Sequence, residues 1–245
     1  MSKKDRDTNR AARAASIQKQ QSDRERNRRV AIVAVVVLVL GGLVAAGVLL
    51  TGGGADAPAA GSGPEAVASG QSLVVGSNPD AKVKVVVYED FLCPYCRELE
   101  SSTRSFLRKD AAEGKVLVEY RPFRLLQDPY SEAALTAWGA VLKQGTPQQA
   151  LKLHDLLYEN QPYEAATDKP GLTELKKWAE EAGVKDERVL SSLGETDIAF
   201  VEAANAAATK DGVQGTPTVI VNGKTLEGTS ISALADQLKQ LIAKG

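Results

Sequence analysis

Tyr88-Glu89-Asp90-Phe91-Leu92-Cys93-Pro94-Tyr95-Cys96 decides the fold. The stretch closes an apolar run, Val83-Lys84-Val85-Val86-Val87-Tyr88, which reads as a short buried strand. It opens a helix at Pro94, where the first helical turn tolerates a residue without an N–H. Cys93 and Cys96 are the only cysteines among 245 residues. At a helix N-terminus the unsatisfied N–H groups and the macrodipole favour a thiolate, so Cys93 reads as an attacking sulfur. Cys96 lies one turn deeper on the same face, placed to close a disulfide while shielded from a substrate. A zinc site fails on ligand count, because tetrahedral sites take four ligands and no second cysteine pair exists.

Downstream, the helix is expected to run to about Asp110. Tyr95, Leu99, Thr103 and Phe106 form its inner face, and Arg97, Glu98, Glu100, Arg104 and Arg108 face away. Lys115–Arg121 alternates as a second strand. Residues 128–212 read as helical, in the segments Ser131–Lys143, Gln148–Tyr158, Leu172–Ala182 and Thr196–Thr209. Thr218–Val221 is a third strand, Asn222-Gly223 a hairpin turn, Lys224–Leu226 a returning strand and Ile231–Ala243 an amphipathic helix. Trp138 and Trp178 read as core of the helical block. His154, the lone histidine, reads as a surface or insert-core residue.

Upstream, the formal net charge of −1 hides an asymmetry. Residues 1–29 carry ten Lys or Arg against four Asp or Glu, which leaves −7 for the rest. Val30–Leu50 then runs for twenty-one residues without a polar side chain. As a helix it would span roughly 31 Å, close to the ~30 Å of a bilayer's hydrocarbon. With basic residues on one flank only, the positive-inside rule predicts a single-pass cell-membrane anchor with a cytoplasmic N-terminus and an extracytoplasmic remainder. The stretch is longer than the apolar core of a cleavable signal, and Pro58 directly follows the small-residue run Ala55-Asp56-Ala57, so it reads as an uncleaved signal-anchor. The basic tail lacks interleaved aromatics and abuts the span, so it marks topology and not nucleic-acid binding. Residues 51–72, rich in Gly, Ala, Ser and Pro, read as a flexible linker. Outside the cytoplasm a disulfide can form and persist.

Strand–helix–strand, a helical block, then strand–hairpin–helix is the order of an α/β thioredoxin-like fold with an inserted helical domain. The expected domain covers residues 73–245. Asn78-Pro79-Asp80-Ala81, the Tyr88–Cys96 stretch and Val213-Gln214-Gly215-Thr216-Pro217-Thr218 resemble the DsbA family of extracytoplasmic thiol–disulfide oxidoreductases, including its membrane-anchored Gram-positive and actinobacterial members. Pro217 follows Cys96 by 121 positions, which leaves room for the insertion.

The resemblance implies a redox-active Cys93–Cys96 disulfide and no other cofactor. Pro94 and Tyr95 shape the site between the cysteines. A cis Thr216–Pro217 bond turns the Thr216 backbone toward the nucleophile, where an extended substrate can pair with it. Substrates would be exported proteins with free thiols, and the reoxidation partner a membrane protein of the DsbB or vitamin K epoxide reductase type. One departure stands out. Many relatives bury an acid six positions before the first cysteine, where this chain has Val87; Glu89 and Asp90 are the nearest substitutes for proton handling, and both are expected to cap the helix or face solvent. The leading reading is a dithiol oxidase. A reductase or isomerase of the same fold is the alternative, and a binding or chaperone module with a structural disulfide is the alternative from another class.

Overall fold

The computed structural model describes residues 64–245. The expected cytoplasmic tail, membrane span and most of the linker therefore lie outside the described residues. Among the described residues no helix is long and apolar enough to cross a membrane.

A six-stranded mixed sheet, in the order β1-β2-β4-β3-β5-β6, forms the frame. Its strands are β1 (Ala66–Ser69), β2 (Ser72–Val75), β3 (Val83–Glu89), β4 (Val116–Pro122), β5 (Thr218–Val221) and β6 (Lys224–Thr225). The two central strands, β3 and β4, run parallel, with Val83 opposite Val116 and Glu89 opposite Pro122. Parallel pairing needs a crossover, and α1 (Pro94–Ala112) supplies it. On β3, Val83, Val85 and Val87 are buried, as they must be on a central strand covered by helices.

The other pairings are antiparallel. Two of those strands correct the sequence reading. Residues 66–69, placed in the flexible linker, form β1, and residues 72–75 form β2, which seats Leu73 against Tyr120 of β4. The Gly/Ser content of this stretch hid the strands: the β1–β2 hairpin turns at Gly70, whose φ of 61° favours glycine. The Asn222-Gly223 turn forms as expected, with φ of 50° and 80°.

The insert comprises α2 (Pro129–Gln144), α3 (Pro147–Glu159), α4 (Leu172–Glu181), α5 (Glu187–Ser192) and α6 (Ile198–Lys210). Four of its helices start with a side-chain cap that fixes their register: Asp128 caps α2, Thr146 and Gln149 form a capping box on α3, Asp186 caps α5 and Asp197 caps α6. The short α5 is absent from the sequence reading. Trp138 is fully buried and donates its indole N–H to the Ala150 carbonyl, joining α2 to α3. The chain ends on α7 (Ile231–Lys244), which packs on α1.

Candidate active site

The active-site turn leaves β3 at Glu89 and enters α1 at Pro94, with Cys93 as the N-cap residue (φ −70°, ψ 119°). No side chain caps this end, so its N–H groups are left to the sulfur. Both cysteines are free thiols. Pro94 and Tyr95 are exposed, Tyr95 at 61%, whereas Cys93 is 5% and Cys96 1% exposed. Tyr95 was expected on the helix's inner face; it sits in the first turn, beyond the edge of the core, and projects outward.

The second half of the site arrives from the far end of the insert. The Thr216–Pro217 peptide is cis, and the Cys93 thiol donates to the Thr216 carbonyl at 3.4 Å. Strand β5 fixes this approach, because Thr218 pairs with Tyr88 on β3. The residues Cys93, Cys96, Thr216 and Pro217, distant in sequence, are thus brought together.

The two sulfurs differ sharply. Contact with the Cys96 side chain holds Cys93 down at about 6, against the opposing effect of burial and with help from Thr216 and the backbone N–H groups of Cys96 and Tyr95. Burial pushes Cys96 well above its ordinary value, and the charges of Cys93 and Glu89 push it further. One thiol is therefore a thiolate at neutral pH and its partner holds its proton.

Glu89 and Asp90 neither cap α1 nor face solvent. They are 1% and 0% exposed, because the insert closes over the end of β3. Asp90 accepts from the backbone N–H of Leu92, Leu125 and Leu126 and from the Ser131 hydroxyl, so it is the hub of a turn. Glu89 points the other way, to His154 Nε2 at 2.5 Å. That separation is shorter than an ordinary N–H···O bond.

Three buried polar residues around the site escaped the sequence reading. His154, from α3, is fully buried among Phe91, Tyr120 and Tyr158, with ring centroids 5.8, 4.6 and 5.1 Å away. Burial opposes its charge, yet Glu89, Asp155 and Glu100 outweigh that and lift it to about 9. Glu100, expected to face away, is 1% exposed beneath Cys96. Gln161, just past α3, donates from one amide nitrogen to the carbonyls of Phe91 and Cys93, both at 3.0 Å. The i, i+4 spacing of Cys96 and Glu100 was the one available signal for Glu100. Nothing local marks His154 or Gln161, whose partners lie 65 to 70 positions away.

The thioredoxin family profile matches residues 68–242. The chain belongs to the thioredoxin family. Among solved structures, the reduced DsbA of Mycobacterium tuberculosis is 27% identical and superposes with a TM-score of 0.59, over 71% of this chain and 93% of that one. MdbA, a thiol–disulfide oxidoreductase from Corynebacterium diphtheriae, is 26% identical with a TM-score of 0.60, over 73% and 94%. These matches make this thioredoxin-family chain DsbA-like and an oxidoreductase. A curated relative, the Na(+)/H(+) antiporter NhaA 3 of Salinispora tropica, is 32% identical over 64% of this chain. The chain spans only 22% of that relative's length.

Proposed function

We propose that this thioredoxin-family protein is a dithiol oxidase, with Cys93 as the sulfur that forms the mixed disulfide and Cys96 as the thiol that leaves it. The asymmetry of the two sulfurs carries the reading: a sulfur at about 6 beside a buried partner held protonated. Stabilising the thiolate stabilises the reduced enzyme, which makes the disulfide form the stronger oxidant. A substrate thiolate attacks Cys93 Sγ, Cys96 Sγ departs with the electron pair of the broken bond, and a second substrate thiolate resolves the mixed disulfide. The substrate leaves oxidised by two electrons and both cysteines are reduced. The exposed Tyr95 and the Thr216 backbone flank the nucleophile and would meet an extended, thiol-bearing chain.

The sequence of residues 1–72 supports a membrane tether and extracytoplasmic exported-protein substrates, through its basic flank and the apolar run Val30–Leu50. On that placement a quinone-linked membrane protein of the DsbB or vitamin K epoxide reductase type would reoxidise Cys93–Cys96. The deciding measurement is the reduction potential of the pair, equilibrated against glutathione. A value well above roughly −200 mV, toward the roughly −120 mV of strongly oxidising relatives, supports the oxidase. A value near roughly −270 mV, the thioredoxin figure, makes the protein a reductase instead.

A further inference from the structure

The carbonyl oxygen of Cys93 is crowded. A carbonyl offers two lone pairs. Three donors reach this one: Gln161 Nε2 at 3.0 Å, the Cys96 N–H at 3.1 Å and the Arg97 N–H at 3.3 Å. The Arg97 contact is the first i, i+4 bond of α1. The Cys96 contact is a tighter i, i+3 bond, and the same N–H also reaches the Cys93 sulfur. One donor is therefore divided between the oxygen and the sulfur of a single residue.

Gln161 bears on that division from outside the helix. Its nitrogen carries two hydrogens, one for the Phe91 carbonyl and one for the Cys93 carbonyl. With two acceptors in front of it, the amide can present only its nitrogen. The side chain starts from a fixed base. Tyr158, three residues earlier, packs on Phe91 with ring centroids 5.3 Å apart, and Pro162 bars α3 from running on through Gln161. Gln161 is buried, so little water competes for the carbonyl from that side. The N–H of Cys93 is committed as well, to the Asp90 carbonyl at 3.0 Å.

We propose that Gln161 is a positioning residue for Cys93: by filling the Cys93 carbonyl from the insert, it frees the Cys96 N–H for the Cys93 sulfur, which steadies the thiolate and makes the disulfide the stronger oxidant. The inference rests on the oxidoreductase reading of the same cysteines, and it names the residue through which the helical insert acts on their chemistry. In the last step of that reading a second substrate thiolate bonds to the substrate sulfur of the mixed disulfide. The bond from that sulfur to Cys93 Sγ breaks, and its electron pair stays on Cys93. Cys93 is the leaving group there, and a more acidic thiol leaves faster.

The titratable groups about the pair are Cys96 on α1, Glu89 and Asp90 at the end of β3, and His154 and Tyr158 on α3. Residues 213–218 carry none. Gln161 itself is neutral at every pH. A substitution there leaves all of these groups in place, so a displaced titration of Cys93 reports the amide.

The test replaces Gln161 by Met, which keeps the length of the side chain and removes the donor. Iodoacetamide labelling of reduced Cys93 is followed from about pH 4 to 9 in the purified full-length chain. The inflection of Gln161→Met is expected to lie about one pH unit above that of the unsubstituted protein, a tenfold loss of thiolate at lower pH. Equilibrated with glutathione at about pH 8, the variant should hold its disulfide about tenfold more firmly, a fall of about 30 mV. Gly139→Ala strains the insert at Phe200 and should move neither reading. An unmoved inflection in folded Gln161→Met overturns the proposal. So does an equal shift in Gly139→Ala, because loosening of the insert would then suffice.

A measurement on the unsubstituted protein serves if Gln161→Met does not fold. In isotope-labelled reduced protein the Cys96 amide-proton resonance should move through the Cys93 inflection, as a donor turned to the sulfur must. A resonance that stays still leaves this N–H on the carbonyl and overturns the proposal. A disulfide that dithiothreitol cannot open removes the oxidoreductase reading and the proposal together, whereas an opening disulfide with an unmoved inflection removes the proposal alone.

Discussion

The Gln161 side-chain amide donates to the Cys93 carbonyl at 3.0 Å, so the nucleophile's own backbone is held by the helical insert. The same nitrogen also holds the Phe91 carbonyl, and Gln161 is 8% exposed. Gln161→Ala removes both bonds in a buried place and is expected to cost about 1–3 kcal/mol in urea unfolding. Gln161→Glu sets a carboxylate against two carbonyl oxygens and is expected to be worse still. The order Gln, Ala, Glu in falling stability checks the clamp. A Glu variant as stable as the unsubstituted protein would show that the amide donates nothing.

The depressed Cys93 makes the reduced protein's stability pH-dependent, with a definite sign. Its folded value of about 6 lies below the ordinary 9.0, so the stabilisation is fully present above about pH 9 and is lost as the pH falls through about 6. Cys96, raised above 9.0, works the other way only at pH above that value. Between about pH 6 and 9 the reduced form therefore gains on the oxidised form as pH rises. The gain is at most ~4 kcal/mol and nearer ~2 once solvent screening of the partly accessible sulfur is counted. Paired urea titrations of the two redox forms measure it. Iodoacetamide labelling of Cys93 should show its inflection near pH 6, and a stability gap independent of pH would remove the thiolate from the account.

Packing inside the insert supports a prediction independent of the cysteines. A Cβ placed on Gly139 of α2 would lie 2.6 Å from Phe200 Cε1 on α6. In an exposed helix, Gly→Ala gains about 1 kcal/mol. Here the overlap with a ring of 4% exposure reverses the sign. Gly139→Ala is expected to lower stability by about 1–2 kcal/mol, within the usual cost of overpacking. Adding Phe200→Leu should recover part of that loss. Thermal unfolding of the single and double variants decides, and a stabilised Gly139→Ala would mean that α2 and α6 separate more easily than their contact suggests.

The scaffold was legible because its signals are local. The valine run of β3, Pro94 at the start of α1 and Asn222-Gly223 each state their structure within a few residues. The span from Cys96 to Pro217 announced an insertion, and the sequence placed four of its five helices within two residues at each end. What it hid is made by tertiary closure. Helical periodicity put Glu100 on the outer face, since a charge there usually meets water; α3 covers that face and brings His154 with it. Residues 66–69 looked like linker because an edge hairpin of small residues carries little apolar pattern. Side-chain ends of Glu89 and Asp90 diverge only because the insert supplies different partners to each.

That divergence separates the two acids experimentally. Asp90 spends its carboxylate on three backbone N–H donors and the Ser131 hydroxyl, so it has no capacity left for a thiol. Asp90→Asn replaces one acceptor oxygen with an NH₂ that faces donors. At about 1–3 kcal/mol for each buried donor left unpaired, the cost should be about 2–4 kcal/mol. Because the turn is the same with or without the disulfide, the loss should be equal in the oxidised and reduced forms, and the Cys93 labelling inflection should stay near pH 6. Glu89→Gln, by contrast, removes a charge that bears on Cys96, and should change the stability of the reduced form more than that of the oxidised form. Urea unfolding of both variants in both redox states tests the assignment. An Asp90→Asn loss confined to the reduced state would show that Asp90 also bears on Cys96.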